Sequence, residues 1–391
     1  MNLHEYQAKA LLADYGVPIP KGAIVKTAAD AENAATNIGG ESWIVKAQIH
    51  AGGRGRAGGI KRAGSSTEAG AIAEALLDST LITNQTGATG KRVNQVYVEA
   101  ACQIEQEIYL AVLIDRSTAK IAFLGSSSGG EDIEEMAAED PNRIHKLVVD
   151  DVDKLDSEPL NQFIAGLGFS GNNATEAVSI AQSLFNAFRD FDASLIEINP
   201  LAVTKDGSLL AIDAKMIIDD NALFRHSDLE KLRDESEEDQ GELEARRYEL
   251  NFASLGGNIG CVVNGAGLAL ATLDLLIDNG IAPANFMDIR PVATREQVAT
   301  GFEMVLGDAN VEAVLVNIYG GGILRCDTIA EGIAIAVQRK GLNVPLIVRA
   351  GGTNMELCHK VLTSQGIPTQ FARDMTHAVE LVKAATSKEA A

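Results

Sequence analysis

The sequence predicts two domains of different class, an α+β domain over residues 1–238 and an α/β domain with a parallel sheet over residues 239–391. Three observations carry this. The chain has 391 residues, more than a single domain of about 100–200 residues holds. A charge-dense, apolar-poor stretch, Leu229-Glu230-Lys231-Leu232-Arg233-Asp234-Glu235-Ser236-Glu237-Glu238-Asp239, continuing through Glu242 to Arg247, separates two differently patterned halves. From Gly257 onward, short β-rich runs alternate with glycine-containing turns and helical periodicity, which is the signature of βα units.

In the first half, Trp43 to Ala47 and Val96 to Ala100 read as strands, and Thr175 to Phe188 as an amphipathic helix. The charged stretch reads as a solvated helix or linker, with an acidic docking site as the alternative. In the second half, Ile259 to Val263, Ala313 to Ile318 and Pro345 to Arg349 read as parallel strands. The ligand crevice of such a sheet lies at the carboxyl ends of its strands. Asn264-Gly265-Ala266-Gly267 and Tyr319-Gly320-Gly321-Gly322 fall there.

Charge and cysteines exclude several classes. A net charge of -21 repels nucleic acid and anionic membrane, so any anion site is built locally against that field. No apolar run approaches the roughly 18 residues of a spanning helix, and Met1-Asn2-Leu3-His4-Glu5 lacks a basic then apolar leader; a soluble, non-exported chain is expected. Cys102, Cys261, Cys326 and Cys358 are widely spaced without a CxxC or Cys/His grouping, which predicts buried thiols rather than disulfides or zinc.

The densest chemical signal is Lys46-Ala47-Gln48-Ile49-His50-Ala51-Gly52-Gly53-Arg54-Gly55-Arg56-Ala57-Gly58-Gly59, a basic glycine loop directly after a strand. Glycines let backbone N–H groups approach phosphate oxygens while Lys46 and the arginines supply charge. The spacing does not match a P-loop, and a flexible surface loop is the bland alternative. Glu99 and Glu107 flank a short connection containing Cys102 and offer acceptors for adenine or ribose, or are strand-end charges. On a strand, Glu197 and Asn199 project to one side, and Asp213 from the neighbouring run joins them. Few such oxygens suffice for magnesium, because phosphates and water complete its octahedron; a polar patch at a sheet edge is the alternative. None of His4, His50, His145, His226, His359 and His377 has an evident carboxylate partner by spacing, so each reads as a surface or cap residue.

Together these strings resemble the β subunit family of succinyl-CoA synthetase, from Leu3-His4-Glu5-Tyr6-Gln7-Ala8-Lys9 to the final helix. The most specific pieces are the Lys46 to Gly59 loop, Glu197 to Pro200, Asp219 to Arg225, Gly257-Asn258-Ile259-Gly260-Cys261, Asn264 to Leu268 and Arg325-Cys326-Asp327. The resemblance implies an ATP-grasp domain followed by a flavodoxin-like CoA-ligase domain. It implies nucleotide binding by Lys46, Gly53, Arg54, Gly55, Glu99, the backbone at Cys102 and Glu107, with Mg2+ on Asn199 and Asp213. Pro20 matches the family's ATP-preferring members. ATP and CoA are the implied substrates of an ADP-forming acid–thiol ligase, located in the cytoplasm or, in a eukaryote, the mitochondrial matrix. The implied partner is an α subunit that carries a phosphohistidine and the CoA site, which leaves this chain alone catalytically incomplete. Glu197 matches the catalytic residue that helps hold the phosphohistidine, and Asn264, Gly321, Gly322 and Ile323 match the organic-acid contacts.

Against the family pattern, Gly256 stands where Asp usually precedes Gly-Asn-Ile-Gly, and Arg290-Pro291-Val292 replaces three glycines. The run Tyr319-Gly320-Gly321-Gly322-Ile323-Leu324 is one residue longer than the usual loop. These departures are expected beside the acid site. Arg290 would bind a second anionic group or pair with a nearby carboxylate. Malate, another dicarboxylate or a sulfonated acid therefore joins succinate as a candidate substrate. Two other classes compete: an ATP-grasp ligase that works without CoA, and a non-catalytic nucleotide-binding subunit.

Overall fold

The computed structural model describes residues 1–130, 133–321 and 323–387, and the chain divides into two compact units, Met1–Glu237 and Glu238–Ala391.

The first unit holds two main antiparallel sheets. The smaller has the strand order Gly22–Val25, Val96–Ala100, Trp43–Ala47, Ile60–Ala63. Both runs read as strands from the sequence thus lie side by side, with Trp43 opposite Ala100 and Lys46 opposite Tyr97. Helices Ala28–Ile38 and Ser66–Leu76 cover this sheet through Ala31, Ala35, Ala69 and Ala73. Their first turns are capped by Thr27 and Ser65, whose hydroxyls accept the N–H groups of Asp30 and Glu68.

In the larger sheet, strand Ala193–Thr204 pairs with Ile104–Asp115 on one side and with Leu209–Ala211 and Ala214–Ile218 on the other. Helix Gly171–Asp190 packs on it with Ala177, Ile180, Ala181, Leu184 and Phe188, the three- and four-residue spacing that the sequence pattern indicated.

The second unit is built on the sheet Asn251–Ser254, Pro283–Asp288, Ile259–Val263, Ala313–Gly320, Leu346–Gly352, Thr369–Phe371. All pairings are parallel except that of the first strand. Counted without that edge strand, the order is 2-1-3-4-5, the flavodoxin-like arrangement, with its switch point between Ile259–Val263 and Ala313–Gly320. Alternate residues of the central strands feed two cores. Val262, Val314 and Val316 meet helices Arg295–Gly307, Cys326–Lys340 and Met355–Ser364, while Cys261, Leu315 and Ile347 meet helices Ala266–Asp278 and Met375–Thr386.

Two expectations need correction. The stretch Leu229–Asp239 is not solvated along its length, because Leu229 and Glu237 are buried. Burial of an acid among charged neighbours leaves no apolar signal in sequence. Two histidines do have carboxylate partners: His4 Nε2 is 2.8 Å from Asp234 Oδ2 and His226 Nε2 is 2.5 Å from Asp192 Oδ2. Those pairs are 230 and 34 residues apart, beyond any local spacing rule. His4 is buried, and of the surface or cap reading it keeps the cap, as the N-cap of helix Glu5–Asp14. All four cysteines are free, and burial pushes the Cys261 and Cys358 thiols up to about 12. Among the described residues, no helix is long and apolar enough to cross a membrane.

Candidate functional site

In the first unit, Lys46 is the penultimate residue of its strand and is buried. Its Nζ lies 2.8 Å from Glu5 Oε1 and 2.5 Å from Glu99 Oε1, and donates to the Ile212 carbonyl at 2.8 Å. Lys9 joins from the first helix, 2.5 Å from Glu99 Oε2 and 2.7 Å from the same carbonyl. Arg54 completes the cluster, with Nη1 2.8 Å from Glu5 Oε2 and Nη2 2.7 Å from Asp213 Oδ2. Three cations therefore face three carboxylates. Burial alone would raise the Glu5 pKa, but Lys46, Arg54 and Lys9 together hold it well below the usual glutamate range. The same carboxylates overcome burial to hold Lys46 and Arg54 above their ordinary values.

The glycine loop is a hydrogen-bonded turn rather than a slack surface segment. Gly53 takes φ +74°, the Ala57 N–H donates to Gly53 O at 3.2 Å, the Gly59 N–H to Arg54 O at 2.8 Å, and the Ala47 N–H to Gly59 O at 2.7 Å. Gly55 lies within it. This folding turns Arg54 inward onto Ala47 O at 2.9 Å and the acid cluster.

Glu99 is placed otherwise than expected. Both carboxylate oxygens are occupied by lysines and the side chain is 1% exposed, so it is not an acceptor open to adenine or ribose. Its strand alternation points it inward toward Lys46. Cys102 lies half-buried in the connection between the two sheets, its thiol raised by burial and by Glu99. Glu107 is on strand Ile104–Asp115, its carbonyl accepting the Gly129 N–H at 2.8 Å. Gly130 takes φ +74°, which favours glycine, and a Cβ there would face Glu107 Oε2. The Gly130 N–H in turn donates to Asn199 Oδ1 at 2.7 Å. Asn199 also donates its own N–H to the Asp213 carbonyl at 3.2 Å, and Glu197 sits two residues earlier on the same strand.

The structure thus gathers Lys46, Arg54, Glu99 and Asp213 in one network, ties Asn199 to Asp213, and ties Glu107 to Asn199 through Gly129-Gly130. Glu5, Lys9 and the Gly129-Gly130 turn escaped sequence reasoning. Glu5 and Lys9, four apart on a helix, look like a solvated pair. The two glycines after Ser126-Ser127-Ser128 were the available signal for the turn.

In the second unit, the strand ends at the switch point are bonded by Asn264. Its Nδ2 donates to the Tyr319 carbonyl at 3.0 Å, and its Oδ1 accepts the Tyr319 N–H at 2.8 Å. Gly265, at φ +86°, donates its N–H to Asp288 Oδ1 at 2.5 Å. A Cβ at Gly320 would sit tightly, 3.1 Å from Cys326 Sγ and from the Thr353 N, whereas Gly321 is open on its Cβ side and its carbonyl accepts the Thr353 hydroxyl at 2.9 Å. Gly322 lies outside the described residues. Ile323 is 71% exposed. Arg325 Nη2 is 2.5 Å from Asp327 Oδ2, which holds the Asp327 carboxyl below the usual range.

Arg349, the middle residue of strand Leu346–Gly352 and opposite Asn317 on the neighbouring strand, was also missed by the sequence reading. Its guanidinium lies 5.6 Å from the exposed Tyr319 ring and 3.4 Å from Asn317 Oδ1. Among the described residues, no carboxylate pairs with it.

The structure places two of the three departures from the family pattern. Arg290 pairs with a carboxylate, Glu249, at 2.6 Å. Gly256 does not lie beside Asn264: it precedes strand Ile259–Val263, at the opposite edge of the sheet. Five residues at about 3.3 Å each separate the two edges. Its φ of +78° accounts for glycine at that position.

Comparison with known proteins adds family evidence. A family model described as an ATP-grasp domain matches residues 2–203, and one described as CoA-ligase matches residues 262–384. The succinate–CoA ligase (ADP-forming) subunit beta of Paramagnetospirillum magneticum is 48% identical over 400 aligned residues that cover 100% of both chains. The same-named protein of Parvibaculum lavamentivorans is 46% identical, again covering 100% of each. Among solved structures, ATP citrate lyase from Methanothrix soehngenii, in complex with citrate and coenzyme A, superimposes with a TM-score of 0.71 at 18% identity and 99% coverage of each chain, a likeness of fold.

Proposed function

The chain belongs to the family of ADP-forming succinate–CoA ligase β subunits, and from that premise we propose that it binds ATP and an organic acid in an enzyme completed by an α subunit. That partner carries a phosphorylatable histidine and the CoA site. The reaction forms an acyl-CoA reversibly, with succinate or another dicarboxylate as the acid; malate and sulfonated acids are the alternatives.

The observation that carries this reading is the buried cluster of Lys46 and Arg54 that ends at Asp213, whose side chain is 30% exposed, beside Asn199 and Glu197. Lys46, Arg54 and the N–H groups of the Gly53–Gly55 turn hold nucleotide phosphates. Glu5 and Glu99 keep Lys46 charged and aimed, and Glu107 and the backbone at Cys102 contribute from the connection between the sheets. Asn199 and Asp213 fit Mg2+: both present side-chain oxygens and they are joined by a backbone hydrogen bond. Two such oxygens suit an ion whose octahedron phosphates and water complete. When bound, Mg2+ neutralises charge on the transferring phosphate.

Glu197 accepts the N–H of the partner's imidazole and so leaves its other nitrogen free to attack phosphorus. Catalysis is then positioning and electrostatic stabilisation of a phosphoryl transfer. The acid lies in the switch-point crevice, bounded by Asn264, Gly321, Ile323 and Arg349. A guanidinium with no acidic partner among the described residues favours an acid with a second anionic group.

The test is transfer of label from γ-labelled ATP to the α subunit in the assembled enzyme. Wild type labels a histidine of that subunit. Glu197→Gln binds ATP normally and labels nothing; labelling at the wild-type rate in that variant removes Glu197 from the reaction.

A further inference from the structure

The segment Asp234–Glu237 is a clasp on the root of the glycine loop. Asp234 meets His4, as described, and accepts the Ser236 N–H and hydroxyl at 3.0 and 2.6 Å. Asn94 Nδ2 donates to the Ser236 hydroxyl at 3.2 Å. Lys91 Nζ donates to the Glu237 carbonyl and lies 3.9 Å from its Oε2. The Glu237 side chain is 2% exposed, and its Oε2 accepts the backbone N–H of His50 at 3.1 Å. Two residues on, the Gly52 N–H donates to Gln85 Oε1 at 2.7 Å. Two consecutive anchors therefore fix the chain just before Gly53 turns and Arg54 enters its ion cluster. Burial raises the Glu237 pKa. Keeping a carboxylate there has a cost that ordinary packing does not require, and its acceptor role on His50 accounts for it.

We infer that Glu237 is a positioning residue for the nucleotide: from 187 residues away in sequence it pins His50, so that the Gly53–Gly55 N–H groups and Arg54 are held in register for phosphate. The inference rests on the assignment of this loop to nucleotide phosphates. A loop without its anchor samples more conformations, and the ligand must then supply the ordering free energy.

The experiment compares Glu237→Ala, Glu237→Gln and Arg54→Ala in the assembled enzyme, reading KM for ATP, CoA and acid, kcat, and amide hydrogen exchange over residues 50–59. Glu237→Ala raises the ATP KM about tenfold, the size of one hydrogen bond to a charged group, with kcat at saturating ATP and the other KM values retained, and speeds exchange in the loop. Glu237→Gln keeps an oxygen acceptor and restores both readouts. An unchanged ATP KM in Glu237→Ala beside a raised one in Arg54→Ala overturns the inference, as does an equal loss in every kinetic constant. If Arg54→Ala leaves the ATP KM unchanged, the loop assignment itself fails. Should Glu237→Ala not assemble, Glu237→Asp, one methylene shorter, carries the same comparison.

Discussion

Lys46 and Glu99 form a buried ion pair at 2.5 Å in which neither side chain is more than 3% exposed. Glu99 also holds Lys9 at 2.5 Å, so a single carboxylate carries two buried ammonium groups. Replacing Glu99 with Gln leaves both facing an uncharged amide. Loss of one partner of a buried pair costs about 3–5 kcal/mol. Denaturant unfolding of Glu99→Gln is expected to show a loss of that size, together with weaker ATP binding.

Glu5 gives the cluster a pH signature. Its folded pKa is lowered below the ordinary 4.5. Its contribution to stability is thus present above pH 4.5 and is lost as the pH falls through the folded value, because the unfolded chain then binds the proton first. Unfolding free energy measured downward from pH 5 declines for the wild type. Glu5→Gln starts lower and declines less steeply.

Asn264 uses both ends of its amide on the Tyr319 backbone. Aspartate at this position cannot donate to the Tyr319 carbonyl and sets charge against it, a defect of about 1–3 kcal/mol. Asn264→Asp is expected to raise the KM for the acid while leaving the KM for ATP unchanged.

Arg349 and Arg290 separate in the same assay. Arg349 has no carboxylate partner among the described residues, and Arg349→Ala is expected to lose preference for diacids over monoacids. Arg290 forms an exposed pair with Glu249, whose side chains are 39% and 71% exposed. Such pairs contribute about 0–1 kcal/mol, so Arg290→Ala should leave both stability and acid preference near wild type. A shift in acid preference in Arg290→Ala alone would reverse these assignments.

Much of this architecture was legible because it rests on local patterns. The strands Trp43–Ala47 and Ile259–Val263 announce themselves as apolar β-rich runs, and the helix Gly171–Asp190 through its period. The edge strands Asn251–Ser254 and Thr369–Phe371 were missed: they are short and only partly buried, so their residues carry little apolar signal. At the candidate site, Lys46, Arg54 and Asp213 were singled out by residue type and neighbourhood. What sequence did not reveal is which acids pair with them. Glu5 and Glu237 look like ordinary surface carboxylates and Glu99 like a nucleotide acceptor or strand-end charge, and only the tertiary fold buries them against cations or backbone N–H groups. Arg349 was hidden similarly, as one cation in the middle of a largely apolar strand.

The central claim is an ADP-forming, CoA-dependent ligase, and its most direct test is ADP release by this chain assembled with its α subunit, in the presence of ATP and Mg2+. Succinate, malate, a sulfonated acid and a monocarboxylate are compared, with and without CoA. The account predicts ADP release that requires CoA and is led by an acid bearing two anionic groups. ADP release that proceeds equally without CoA, or that the monocarboxylate leads, would contradict it.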